Sequence, residues 1–156
     1  MKTAPLTLGD RYSVSLWFWN GIPNGLRENT GRIVSLLGSK NDQHVIVGLS
    51  NPGKTAAKLR LSTPADTGQT SITPRTWHHL ALTRDGDRTT VYLDGSPEIT
   101  SESKTALPAG DLSIQLAAAS PPDVAFEGKL SEVAVHDRTL SAKEIAQLAH
   151  TSPRSP

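Results

Sequence analysis

The sequence predicts an all-β domain, a two-sheet antiparallel β-sandwich with one short helix near the C-terminus. Short apolar alternations recur along the chain and are separated by glycine, proline, asparagine and aspartate. Strands and turns at such regular spacing are typical of a sandwich or jelly roll. One helical pattern, close to the end, does not suffice for a parallel sheet with alternating helices.

The composition indicates one folded domain without a strong electrostatic field. The 156 residues are 36% hydrophobic and 20% charged, with a net charge of +1 and no cysteine. The basic residues are scattered, which argues against nucleic acid as a partner. No apolar run precedes Arg11, so neither a signal peptide nor membrane insertion is expected. This leaves two alternatives, a cytoplasmic protein or a piece of a longer exported chain. Without cysteine, disulfides, thiolate zinc sites and a cysteine nucleophile are excluded.

The strand predicted over Arg11–Asn20 has two different faces. Its apolar side chains alternate with polar or aromatic ones, the period of a strand with one face in the core. The core positions are Tyr12, Val14, Leu16 and Phe18. The other face begins with serines and ends with Trp17 and Trp19, so this end suits covering or binding. Residues 21–31 are rich in glycine, asparagine and proline, as expected of a long surface loop.

The same alternation predicts seven further strands. Their bounds are Ile33–Leu37, Val45–Leu49, Lys58–Leu61, Trp77–Arg84, Thr89–Leu93, Leu112–Leu116 and Leu130–His136. The sequences DGDR at 85–88 and DG at 94–95 are typical of tight turns, because Asp and Gly tolerate positive φ. Residues 77–95 are therefore expected to form two adjacent antiparallel strands.

The helix is predicted from a capping box formed by Ser141 and Glu144. The serine hydroxyl accepts a hydrogen bond from the Glu144 amide, while the carboxylate reaches back to the start of the helix. Ile145, Leu148 and Ala149 follow at helical spacing, so the helix is expected to dock on the sandwich.

Three segments, taken together, resemble the laminin-G-like and concanavalin A-like family of jelly rolls. Residues 12–17 (YSVSLW) resemble its opening strand, and 77–86 (WHHLALTRDG) with 91–95 (VYLDG) resemble its paired central strands. Residues 126–148 are similar to its closing strand and helix. The order and spacing of the segments are more specific than any one of them.

The resemblance implies a domain at residues 10–150, with an N-terminal extension at 1–9 and a tail or linker at 151–156. The most similar variants occur inside large exported bacterial proteins, which implies an extracytoplasmic module (periplasmic, cell-surface or secreted) of a longer multidomain chain. Family domains usually begin one strand before Asp10, which favours a piece cut from a longer protein. Ser131 departs from the family, which commonly has an acidic residue there.

The fold includes both lectins and glycoside hydrolases, so function must be argued from the site. A retaining hydrolase holds two carboxyl groups about 5 Å apart, and hydrolase members of the family carry them as Glu-x-Asp-x-x-Glu. That pattern is absent, and the nearest run, Glu98 to Glu102, is interrupted by serine and threonine. We assign no catalytic residue and expect no enzyme, with a glycoside hydrolase as the weakest alternative.

Histidines and turn aspartates offer weaker signals. His78 and His79 are adjacent on a strand and point to opposite faces, so they do not share one ion. The resemblance implies that His79 is a packed residue hydrogen-bonded to a neighbour. Asp85, Asp87 and Asp94 remain candidate ligands for a calcium ion, although their role in forming turns also explains all three residues. We assign no metal site.

The predicted function is therefore non-catalytic recognition, of carbohydrate first and of protein, including a neighbouring domain, as the alternative. Trp17 and Trp77 match family positions and are expected to be structural. Trp19 ends its face and leads into the polar loop, so it is the best stacking platform for a sugar, although packing against the core is an equal alternative. The candidate ligand-binding residues are Trp19, Asn20, Asn24, Arg27 and Asn29.

Overall fold

The structure is a computed structural model, and it describes residues 2–23, 29–48, 57–103, 107–108, 110–117, 126–151 and 153. The side chains of residues 29 and 30 are outside that description. Eleven strands and one helix lie within these ranges. They are β1 (Leu6–Leu8), β2 (Arg11–Asn20), β3 (Asn29–Leu37), β4 (Asp42–Gly48), β5 (Lys58–Ser62), β6 (Ala65–Thr67), β7 (Trp77–Asp85), β8 (Arg88–Leu93), β9 (Ser96–Glu102), β10 (Gly110–Leu116), β11 (Gly128–His136) and α1 (Ala142–His150).

The strands form two antiparallel sheets that face each other. One sheet has six strands in the order β1-β10-β3-β4-β5-β6, and the other has five in the order β11-β2-β7-β8-β9. The predicted fold class, a two-sheet β-sandwich with one short C-terminal helix, is confirmed. Residues 77–95 form the neighbouring strands β7 and β8, paired from Leu80 with Leu93 to Asp85 with Arg88.

The core lies between the sheets and follows the alternation of the sequence. On β2 the four predicted core side chains are at most 2% exposed and belong to one apolar cluster. Inward side chains of the other sheet, such as Ile33, Val45 and Leu59, are fully buried against them. Burying each such side chain contributes about 1.5–3 kcal/mol.

Three strands were not among those predicted: β9, which follows the predicted turn at 94–95, and two three-residue edge strands of the other sheet. Leu6–Leu8 pairs with β10, so part of the segment predicted as an extension belongs to the six-stranded sheet. Ala65–Thr67 pairs with β5 at the other edge of that sheet. Three residues are too few to show a period of two, so these edge strands have no recognisable pattern in the sequence.

The helix α1 begins at the predicted capping box. The Ser141 amide donates to Glu144 Oε2 at 2.8 Å, and the Glu144 amide donates to the Ser141 hydroxyl at 3.3 Å. Arg138 bonds the same carboxylate at 2.6 Å, and mainly for this reason the pKa of Glu144 falls to about 2. Ile145 anchors the helix on the five-stranded sheet with Ala81.

The turn between β8 and β9 lies directly against the helix. Asp94 and Gly95 have φ of 50° and 84°, as the tight-turn sequence predicts. A Cβ on Gly95 would lie 3.2 Å from Ala146 Cα, so a larger residue would push the helix away. In the described ranges, no helix has the length and apolar character needed to cross a bilayer.

Candidate functional site

An aromatic row crosses the five-stranded sheet on its outer face, the face turned away from the core. The strand register places Lys129 of β11 opposite Trp19 of β2, and Trp19 opposite Trp77 of β7. Both indoles are partly exposed. The Lys129 ammonium lies 5.4 Å from the Trp19 ring centroid, within cation–π range. Trp77 was expected to be structural, and in the structure it is partly exposed to solvent.

A cavity of about 180 Å³ lies beside the aromatic row on the same face. An engineered protein cavity of about 150 Å³ holds benzene, so this one has room for a single six-membered ring. Strands β2, β7 and β11 and the C-terminal end of α1 enclose it. Its lining residues are Ser15, Trp17, His79, Glu132, Ala134, Leu148 and Thr151.

Two polar side chains in the cavity are buried without a hydrogen-bond partner among the described residues. Ser15 is 3% exposed and His79 is 2% exposed. His79 packs edge-on against Trp17, with ring centroids 5.2 Å apart. Its Nδ1 is fully enclosed, which leaves Nε2 as the ring nitrogen able to face the cavity. The resemblance implied a packed, hydrogen-bonded histidine. His79 is packed as expected, but its ring has no hydrogen-bond partner among the described residues, and the bond to its neighbour Asp94 is made by its backbone amide.

Burial determines the charge of His79. It lowers the pKa of the imidazole, and the negative charges of Asp94 and Glu132 offset this only in part. The ring is therefore neutral at pH 7 and carries one donor and one acceptor nitrogen.

A bulge in β11 brings a carboxylate to the cavity. Ser131 pairs with Trp17 and Ala134 with Ser15, so three steps on β11 match two on β2. Glu132, inside the bulge, has φ of 51°. Bulges re-aim side chains and are frequent beside functional sites. Here the bulge places Glu132 in the cavity lining.

His78 points to the opposite face from His79, as predicted from their adjacency. Its ring lies 5.6 Å from that of Phe18 in the core. Its Nδ1 is 2.7 Å from Asp94 Oδ2, and its Nε2 is 3.2 Å from the Thr73 carbonyl. Burial opposes a charge on this ring, but the bond to Asp94 and its charge outweigh burial, so the pKa of His78 is raised. The protonated ring donates to both acceptors.

Asp94 fixes both histidines through its two carboxylate oxygens. Oδ2 bonds the His78 ring, and Oδ1 accepts from the His79 amide at 2.8 Å. Despite burial, these bonds lower the pKa of Asp94. Asp85 is bonded to Arg11 at 2.8 Å. In the part of the chain that the structure describes, no three His, Asp or Glu side chains are grouped to hold a metal ion, and both aspartates are explained by turns and pairing.

The predicted ligand-binding residues are not all brought together. Trp19 lies in the aromatic row. Asn20 is fully buried, and its amide bonds the backbone of Ile22 at 3.4 Å in both directions. Its side chain therefore shapes the start of the loop and has no surface for a ligand. The described side chains do not include Asn24, Arg27 and Asn29, of which Asn29 begins β3.

Sequence reasoning did not place Ser15, His79 and Glu132 in one site, because they come from three different strands. The sequence does contain a pattern from which part of this site could have been predicted. Trp17 precedes Trp19 by two residues, and Trp77 precedes His79 by two, so pairing β2 with β7 puts all four side chains on one face. The bulge that brings in Glu132 has no comparable signal.

The chain belongs to the concanavalin A-like lectin/glucanases superfamily, whose family model matches residues 1–146. Solved structures agree with this assignment at the level of the fold. No curated protein matches the chain.

One similar structure is domain 4 of a GH43 extracellular arabinanase from Geobacillus stearothermophilus, in complex with arabinotriose. It has a TM-score of 0.70 and 18% identity, over 96% of this chain and 71% of that one. A second is the heptameric SAP-like pentraxin of Limulus polyphemus, with a TM-score of 0.70 and 18% identity over 99% of this chain and 77% of that one. The Trypanosoma rangeli sialidase matches at a TM-score of 0.64 and 18% identity, with 89% of this chain aligned to 22% of that one. At this identity the likeness shows the fold alone.

Proposed function

We propose that this domain recognises carbohydrate without cleaving it. The observation that carries the proposal is the aromatic row, in which Trp19 and Trp77 remain partly exposed on adjacent strands. A sugar ring stacks its apolar face on tryptophan and directs its hydroxyls to polar side chains. The arabinotriose complex of the similar arabinanase domain supports the same class of ligand.

The positions of the carboxylates support a non-catalytic role. Glu98 on β9 and Glu132 on β11 lie at opposite edges of the five-stranded sheet, four strand spacings or about 19 Å apart. Glu98 and Glu102 are separated by about 13 Å along one strand. Glycosidases hold their pair about 5–9.5 Å apart. Glu98 also bonds Thr70 at 2.6 Å, and Glu102 pairs with Arg88 at 3.4 Å.

We also infer that the domain works outside the cytoplasm as one module of a longer chain. The similar arabinanase domain is one of several in an extracellular enzyme, and this chain aligns with only 22% of the sialidase. The sequence resemblance to modules of exported bacterial proteins supports the same conclusion.

A glycan array probed with the wild-type domain, with and without calcium, tests the proposal. We expect binding to a neutral polysaccharide, with arabinans, galactans and β-glucans as the first probes. Trp19→Ala should weaken it about 30-fold, since a tryptophan at the centre of a binding surface contributes about 2 kcal/mol or more. Arg11→Ala is the matched control, because Arg11 lies on the same strand at its far, exposed end and should not affect binding.

Two results would contradict the proposal. One is the absence of any bound glycan, which would favour the protein-binding alternative. The other is reproducible hydrolysis of a bound glycan by the isolated domain.

A further inference from the structure

We propose that the cavity beside the aromatic row is a binding subsite for one uncharged sugar ring at the end of a glycan chain. The inference rests on the proposed carbohydrate function and specifies its ligand class. Of the predicted ligand-binding residues, Trp19 and Asn20 have described side chains, and neither lines the cavity.

Unsatisfied polar groups in the cavity are the first argument. Buried hydroxyl and imidazole groups nearly always have a partner in native proteins, because an unpaired one loses its bonds to water. Ser15 and His79 are both at least 97% buried, and no hydrogen bond joins either side chain to another described residue. They lie on adjacent strands and line the same cavity. A ligand with hydroxyl groups would bond the Ser15 hydroxyl and Nε2 of His79, whereas the enclosed Nδ1 of His79 would remain out of its reach.

The strained backbone of Glu132 is the second argument. A left-handed conformation is unfavourable for a residue with a side chain, and such residues cluster at functional sites. The bulge that imposes φ of 51° also brings the carboxylate to the cavity. A carboxylate accepts hydrogen bonds from sugar hydroxyls.

The charge of the cavity lining favours neutral sugars over acidic ones. Glu132 is negative, and the buried His79 ring is neutral, because its pKa is lowered by burial. Among the described residues, no cationic side chain lines the cavity. A uronic acid or sialic acid would therefore bring a second negative charge next to the Glu132 carboxylate, whereas a neutral hexose or pentose would not.

The walls of the cavity suit a single sugar ring. Trp17 provides an aromatic wall, and Leu148 and Ala134 provide apolar ones. Polar groups are spread around these walls, which suits a ring with an apolar face and a hydroxyl rim. Trp17 precedes Trp19 by two residues, or about 6.7 Å along the strand. A glycan chain leaving the cavity would therefore continue onto the aromatic row.

NMR titration of the full ¹⁵N-labelled chain tests the inference. The three tryptophans give separate indole N–H signals, which Trp17→Phe, Trp19→Phe and Trp77→Phe variants assign. The probes are free arabinose, galactose, glucose and xylose, with glucuronic and galacturonic acid as the acidic counterparts. We expect at least one neutral sugar to shift the signals of Trp17 and the His79 ring, and the acids to leave them unchanged.

Glu132→Gln should weaken the neutral sugar about tenfold, because hydrogen bonds to an ionised acceptor are stronger than those to an amide. It should also remove the discrimination against the acids. Glu102→Gln is the control, since Glu102 is an exposed glutamate on the far edge strand of the same sheet. If Glu132→Gln does not fold, Ser15→Ala removes one predicted contact and should weaken the sugar about threefold to tenfold.

The outcomes separate the two proposals. If glycan binding depends on Trp19 but no sugar shifts the NMR signals of Trp17 and His79, the cavity subsite is overturned. The proposed function still stands in that case. Unchanged affinity in both Glu132→Gln and Ser15→Ala also overturns the subsite. If no glycan and no monosaccharide binds, both proposals fail.

Discussion

The outer face of the five-stranded sheet has a covered half under α1 and an open half with the cavity and the aromatic row. Ser13 and Ser15 lie two residues apart on β2, one in each half, and are 0% and 3% exposed. The Ser13 hydroxyl donates to the Arg138 carbonyl at 2.9 Å and accepts from the Leu140 amide at 2.8 Å. Ser15 has no such partner among the described residues. The two serines are buried to the same extent and differ in their hydrogen bonds. A buried hydroxyl with partners indicates structural packing, whereas one without a described partner indicates a candidate site.

The apolar side chains show the same division. In the covered half, Ile145 is fully buried between Ala81 and Leu140, and Leu148 packs at the border. In the open half, Trp77 is left partly exposed. The helix thus completes the packing of one half and forms only a wall for the other.

The largest expected effect comes from removing the anchor of the covered half. Ile145→Ala should lower the free energy of unfolding by about 2–5 kcal/mol, because it leaves a cavity under the helix. Urea denaturation measures this. Gln147→Ala, exposed on the same helix, should stay within about 0.5 kcal/mol of the wild type. An unchanged denaturation midpoint for Ile145→Ala would mean that α1 is not part of the cooperative fold.

A serine pair tests the comparison directly. Ser13→Ala should destabilise by about 1–3 kcal/mol, because it leaves the buried Leu140 amide unpaired and removes the bond to the Arg138 carbonyl. Ser15→Ala loses no described bond and should change stability by no more than about 0.5 kcal/mol. Thermal melts of both variants give the difference. Equal losses would show that Ser15 is structural and would weaken the case for the cavity.

The smallest effect is spectroscopic and concerns the two histidines of β7. We expect the His78 ring to titrate above its ordinary value of 6.5 and the His79 ring below it. His78 then contributes stability that is fully present below pH 6.5 and is lost as pH rises through its raised pKa. His79 acts in the opposite direction, since protonation below pH 6.5 favours the unfolded chain. Imidazole NMR signals followed against pH test this, and overlapping midpoints would contradict it.

The sequence predicted the fold well where strands are long and half-buried. The alternation of β2 identified its core side chains, and the capping box located the start of α1, because both patterns are local. β1 and β6 were missed because three-residue edge strands are stabilised by pairing with β10 and β5 and not by their own pattern. Their existence depends on contacts far away in the sequence.

The site was less predictable for the same reason. Trp19 could be singled out from its position at the end of a strand, since exposure at a loop is a local property. The cavity required the register of three strands, and a bulge of one residue decides that Glu132 joins Ser15 and His79. Asn20 shows the reverse error, because a polar residue at the mouth of a loop suggested a ligand contact and instead bonds the backbone of Ile22.

The bulge in β11 also has a consequence for self-association. β11 is an edge strand of nine residues that leaves Val133 and Val135 exposed. A long, flat and apolar edge is a template for strand addition by another chain, and bulges are one of the features that prevent it. The extra residue between Ser131 and Ala134 divides the pairing of β11 with β2 into two ladders, an irregularity of the kind that disfavours the addition of a further strand. We therefore expect the bulge that brings Glu132 to the cavity to protect this edge from strand addition as well.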